Sequence, residues 1–235
     1  MSGMAPLLLL LGSLQSYALA REAVRKGDLL LVHENLNFSD PLSQAIQATG
    51  LATIKWLREH GNPVSGHDTA MHVGIAADAD TIIEAQDVGV RQSNLTEWLS
   101  SFPAHVTFFV GEVQEIDDEV RNEAVAFARS KLGVPYAVDF EPPEVDGKYY
   151  CSSLVDYAYR HALKSRLVFT KTDMPLIWEP LDFWKDYYRQ MNKTLPNYNG
   201  SNPTMLLQSD RVKYWQLNFS ARSDHRKADT RIQWV

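Results

Sequence analysis

Tyr149-Tyr150-Cys151-Ser152-Ser153-Leu154-Val155-Asp156-Tyr157-Ala158-Tyr159 is the stretch on which the reading of this chain turns. Leu154, Val155, Ala158, Ala162 and Leu163 recur at three- and four-residue spacing, which predicts an amphipathic helix beginning close to Cys151. Cys151 is the only cysteine in the chain. A thiol on the first turn of a helix faces unpaired backbone N–H groups and the positive end of the dipole. Both favour thiolate, the nucleophilic form. From this segment alone the alternative is a small core residue, because free cysteine is often buried.

The surrounding chain tips that balance. Residues 1–20 carry no charged side chain, Leu7 to Leu11 form an apolar block, and Ala18-Leu19-Ala20 precedes Arg21 as a small-residue cleavage site. A secretory signal peptide is expected there. Asn37, Asn94, Asn192, Asn199 and Asn218 each begin an Asn-x-Ser/Thr acceptor for glycosylation, while Asn202 is excluded by Pro203. A secreted or lysosomal protein is therefore expected. In an oxidising compartment cysteines usually come in pairs, so a lone one is linked to another chain or kept as a reactive thiol. No later run is long and apolar enough for a membrane helix. A net charge of −6 gives no electrostatic footprint for nucleic acid.

Working outward, Gly27-Asp28 turns the chain into the apolar run Leu29-Leu30-Leu31-Val32, which fits a buried strand. Asp40-Pro41 is a helix-start signal for a segment reaching Gly50, with a second helical piece from Leu51 to Glu59. Met71 to Ala76 alternates as a strand, with Met71, Val73 and Ile75 on one face and His72 and Gly74 on the other. Thr81 to Gln86 is its return strand, a short helix follows from Leu95 to Phe102, and Val106 to Val113 is a further strand. A helix capped by Asp117 or Asp118 is expected to run to Leu132, with Val120, Ala124, Phe127, Ala128 and Leu132 facing inward. Phe183, Trp184, Tyr187, Tyr188 and Met191 recur at helical spacing as a packing stripe.

A cysteine nucleophile needs a base within hydrogen-bond reach and a third group to orient that base. Of seven histidines, His161 lies on the Cys151 helix itself, about 15 Å along the axis, too far to serve. His72 is the one in mid-strand, beside a glycine that would leave space over it. Glu84 stands on the return strand among Ile82, Ile83 and Ala85. An odd number of loop residues would put His72 and Glu84 on one face, and an even number would separate them. Other chemistries lack their signatures. There is no Gly-x-Ser-x-Gly elbow, no phosphate-binding glycine loop and no His-Glu-x-x-His, and one cysteine cannot build a structural zinc site.

Gly27-Asp28-Leu29-Leu30, Met71-His72-Val73-Gly74-Ile75, Ile83-Glu84-Ala85, Leu132-Gly133-Val134-Pro135-Tyr136 and Tyr150-Cys151-Ser152-Ser153-Leu154-Val155 occur in that order. In this the chain resembles the circularly permuted papain-like cysteine hydrolases of the NlpC/p60 superfamily, in particular the YiiX-like group. The resemblance spans about Lys26 to Leu163. It implies an α+β, papain-like fold, an antiparallel sheet packed against helices, with the histidine strand ahead of the cysteine helix. It also implies a catalytic domain over 21–163 and a C-terminal extension over 164–235 packed on it. Cys151 would be the nucleophile, His72 the base and Glu84 the polar third member. The Cys151 N–H would hold the oxyanion, with Tyr136 and Tyr150 as candidates for further contacts. Ser153 stands where the family more often has Glu, and Ala137 where it tends to have Asp. No cofactor or metal is expected.

The resemblance thus implies a secreted thiol hydrolase that cleaves amide bonds through a thioester, on a small-molecule, peptide or lipid acyl substrate. Acyl transfer or lipase-like action on lipid esters and amides is the nearest alternative, since relatives of the lecithin retinol acyltransferase type are also similar. A lipid- or peptide-binding protein of the same fold without turnover, and a dimer linked through Cys151, complete the set.

Overall fold

The computed structural model describes residues 24–34, 40–66 and 68–218; the expected signal peptide and the Asn37 acceptor lie outside them. The leucine run after Asp28 becomes β1 (Leu29–Glu34), and its burial explains its composition. Leu29, Leu30, Leu31 and Val32 are all enclosed, so neither face needs polar residues. Antiparallel neighbours flank it, β2 (His72–Ala76) on one side and β5 (Val106–Val113) on the other. β3 (Thr81–Gln86) and β4 (Gly89–Asn94) continue the sheet beyond β2, and β6 (Val212–Leu217) continues it beyond β5. The strand order is β4-β3-β2-β1-β5-β6, antiparallel throughout.

Alternation along these strands feeds two separate cores. On one face Leu29, Leu31, Val73, Ile75 and Ile83 pack beneath α5 (Cys151–Leu163) and α3 (Asp118–Ser130), which contribute Leu154, Val155, Ala158, Ala124 and Ala128. On the other face Leu30, Val32, Ala76 and Ile82 meet Trp98 and Leu99 of α2 (Leu95–Ser100), together with Phe102 and Phe108. The Gly27-Asp28 corner locks α3 and α5 to the start of β1. Asp28 is fully buried and pairs with Arg121 Nη1 at 3.1 Å, and the Tyr159 hydroxyl donates to the Gly27 carbonyl.

Three expectations are corrected. The two helical pieces around Gly50 are one helix, α1 (Pro41–Glu59), started by Asp40, whose carboxylate accepts the Ser43 N–H at 2.8 Å. Gly50 does not break it. The residue is small because α7 (Pro203–Gln208) crosses there, and a Cβ would stand 2.6 Å from Thr204 Oγ1. α3 stops at Ser130, so Leu132 lies beyond its inner face and is 42 % exposed. The chain after it pairs with β4 instead, through Gly133 N–H to Val90 O and Val90 N–H to Val134 O, both 2.8 Å. The space over Gly74 is filled by Ile82, whose Cδ1 would be 2.6 Å from a Cβ at that position.

Beyond Leu163 the chain packs on the same body. β6 is a sheet strand, and α6 (Leu181–Gln190) lays Trp184 and Tyr188 against Leu42 and Ala45 of α1. Trp184 and Tyr188 of the aromatic stripe are therefore core, with Phe183, Tyr187 and Met191 half-buried against them.

Candidate active site

Cys151 is the first residue of α5, which follows the single-turn α4 (Pro143–Asp146). Tyr150 leads into it with extended backbone, and the Ser153 hydroxyl closes the turn by accepting the Tyr150 N–H at 2.9 Å and donating to the Tyr150 carbonyl at 2.9 Å. Ser153, which departs from the family pattern, thus serves as the helix-start residue. The Cys151 N–H faces the hydroxyl of Tyr136. Tyr136 is carried there by a bridge to Tyr149, with the Ala137 N–H donating to the Tyr149 carbonyl at 3.0 Å. Burial first, then the nearby Cys151 charge, push the Tyr136 phenol well above its ordinary range and keep its proton on.

The β2–β3 register decides whether His72 and Glu84 meet. Ala76 pairs with Ile82, enclosing residues 77–81, an odd number, so the two side chains share a face. His72 Nε2 lies 2.6 Å from Glu84 Oε2, and both residues are buried. The Cys151 side chain is the ring's other hydrogen-bond partner. With Nε2 facing Glu84, Nδ1 is the nitrogen left for the sulfur. Burial alone would lower the His72 pKa, but hydrogen bonds to Cys151 and Glu84 and their negative charges raise it to about 10.

Two residues that sequence reasoning missed complete the surroundings of the carboxylate. Trp98 Nε1 donates to Glu84 Oε2 at 2.8 Å, and Arg91 Nε donates to Oε1 at 3.0 Å. Burial would raise the Glu84 pKa, yet the hydrogen bonds from His72 and Trp98 and the positive charges beside it hold it below the usual carboxylate range. Arg91 could have been found. A two-residue turn at Asp87-Val88 pairs Gln86 with Gly89 and therefore Glu84 with Arg91. Trp98 carried no such signal.

Cys151 and His72 open into a surface cavity. Its apolar lining includes Leu42, Ile46, Phe140, Leu176, Trp178 and Trp184, and its polar lining includes Thr49, Gln86, Ser201 and Asn202. Tyr136 and Tyr150 both line it. The Tyr150 hydroxyl, however, accepts the Ser201 N–H at 3.2 Å, so it holds the 199–202 segment. Cys151 is 6 % exposed at the inner end of this cavity, a poor position for a bridge to a second chain. Asn94, Asn192, Asn199 and Asn218 are all exposed.

A search of curated proteins finds no match. Among solved structures the chain is similar to one titled as the metalloprotein yiiX from Escherichia coli O157:H7, with a TM-score of 0.57 and 18% identity over 81% of this chain and 96% of that one. At that identity the likeness speaks for the fold. Among the described residues here, no group of three or more His, Cys, Asp or Glu is arranged to hold a metal ion. Residues 23–213 match a family described as permuted papain-like amidase enzymes, YaeF/YiiX, C92. With the sheet, the cysteine helix and the histidine strand in the permuted order, and with the match covering most of its length, this chain belongs to the YaeF/YiiX C92 family of permuted papain-like amidases.

Proposed function

We propose that this protein cleaves amide bonds through a thioester on Cys151, with His72 moving the proton and Glu84 orienting the imidazole. One observation carries the reading: the His72 ring stands between a thiol at a helix start and a buried carboxylate, and its proton is held up to a pKa of about 10. A positive ring and the helix dipole both stabilise negative charge on an atom placed between them. The sulfur attacks the substrate carbonyl, and the oxyanion is held beside the Cys151 N–H, with the Tyr136 hydroxyl that this N–H meets as a donor. Collapse breaks the C–N bond, and the His72 proton passes to the leaving amine. Water, deprotonated by His72, then hydrolyses the thioester.

The acyl side of the substrate is apolar on this reading, because Leu42, Ile46, Phe140, Trp178 and Trp184 line the cavity that Cys151 and His72 share. The same walls favour a second reading, transfer of a lipid acyl group to an acceptor other than water. Export through the secretory pathway is also part of the proposal, supported by the exposure of four glycosylation acceptors.

An electrophilic thiol probe, followed by activity profiling on acyl-lipid and peptide-amide panels, tests the arrangement. Wild type is expected to be labelled at Cys151, Cys151→Ala not at all, and His72→Ala about 10²-fold more slowly. Turnover is expected on substrates with an apolar acyl group. Equal labelling of wild type and His72→Ala would sink the proposal.

A further inference from the structure

Phe140 has a backbone that its side chain disfavours. Its φ is 52°, in the left-handed region, where a Cβ is crowded and glycine is the ordinary occupant. α6 and Lys193 just beyond it hold the turn in that state from both sides. The Tyr187 hydroxyl donates to the Val138 carbonyl at 2.8 Å, and the Tyr188 hydroxyl donates to the Asp139 carbonyl. Lys193 Nζ donates to the Asp139 carboxylate and, at 3.1 Å, to that of Glu141. The Phe140 N–H closes the turn on the Ala137 carbonyl at 3.0 Å. Backbone strain held in place by its surroundings clusters at binding clamps and active sites.

The ring so placed is half-buried and lines the cavity of Cys151 and His72. Its centroid lies 5.7 Å from that of Tyr150 and 6.5 Å from that of Tyr136. It also lies 5.7 Å from Trp184 and 6.4 Å from Trp178. The two tyrosines flank the nucleophile: the Tyr136 hydroxyl meets the Cys151 N–H, and Tyr150 precedes Cys151. The two tryptophans present carbon faces, because their N–H groups donate to the Pro196 carbonyl at 3.1 Å and to Thr49 Oγ1 at 3.2 Å. Among the described residues, neither tyrosine ring packs on either tryptophan, whereas Phe140 packs on all four. Phe140 therefore stands between the surroundings of the sulfur and the tryptophan wall.

We propose that Phe140 sets the length of the acyl group that this site accepts, its ring acting as a partition across the cavity. The assignment rests on Cys151 being the nucleophile and on the acyl group lying in this cavity. With the ring in place, a short acyl chain fits beside Tyr136 and Tyr150, and a long one meets the ring. Without it, a long chain runs on along Trp178 and Trp184 and buries more carbon.

The full-length wild type, Phe140→Gly, Phe140→Leu and Phe140→Trp are compared on p-nitrophenyl butanoate, octanoate and dodecanoate. Nitrophenolate release gives kcat/KM for each ester, and intact mass reports acylation of Cys151. Glycine adopts the left-handed backbone freely, so Phe140→Gly removes the ring and keeps the turn. Leucine keeps an apolar contact should the glycine variant unfold, as judged by circular dichroism. The dodecanoate-to-butanoate ratio of kcat/KM is expected to rise about 10-fold with glycine, less with leucine, and to fall with tryptophan. A purely structural role would lower kcat/KM for all three esters by one factor. That result, or an unchanged ratio in folded variants, overturns the role of Phe140 while leaving Cys151 as nucleophile. Wild-type protein in which no ester acylates Cys151 overturns both.

Discussion

His72 is the residue on which the proposed chemistry turns, and its environment has a pH signature. Its folded pKa of about 10 lies above the ordinary value of 6.5, so the fold favours the protonated ring. The associated stability is complete below about pH 6.5 and is lost as pH rises through about 10. Glu84 has the opposite sign. Its pKa is lowered, so its contribution is present above the ordinary carboxylate range and is lost as pH falls through its folded value. Because Glu84 is one of the groups holding the His72 proton, Glu84→Gln should move the alkaline limb of the acylation rate to lower pH. A pH–rate profile of acylation checks this, and a limb that stays in place would remove Glu84 from the site. The three residues named from sequence were legible because each is chemically conspicuous: a lone thiol, a strand histidine and a carboxylate among isoleucines. Trp98 was not, because an indole N–H on an apolar helix face looks like any other core residue until its acceptor is known.

At the scale of elements, strands read better than helix boundaries. Runs such as Val106 to Val113 announce themselves by composition, whereas glycine at position 50 resembled a stop. Local propensity counts glycine against a helix, but here the residue is needed for contact between helices. Thr204 cannot yield, since its hydroxyl accepts the Ala70 N–H at 3.0 Å and donates to the Ala70 carbonyl at 3.1 Å. Gly50→Ala is therefore expected to destabilise the fold by about 1–3 kcal/mol, despite alanine's better helix propensity. Urea denaturation measures it, and a variant as stable as wild type would mean that the α1–α7 crossing relaxes.

Across the whole molecule, the cavity is assembled from parts distant in sequence: α1, the start of β2, the Tyr136 loop, the start of α5, and residues 176–204. The exposed Asn94, Asn192, Asn199 and Asn218 lie on separate stretches of the chain, so glycans could be attached without crossing the core. Expression in a secreting eukaryotic cell followed by removal of N-glycans should lower the mass, and an unchanged mass would count against the secretory proposal. The amino-acid sequence by itself determined β1, β2, β3, β5 and the cysteine helix, and pointed to the residues of the candidate site, because periodicity and side-chain chemistry are local properties. Only the tertiary structure decided that Trp98 donates to Glu84 and that Leu42, Ile46, Phe140, Trp178 and Trp184 line one cavity with Cys151 and His72. Those facts depend on strand register and on the packing of elements far apart in the chain, which no local pattern encodes.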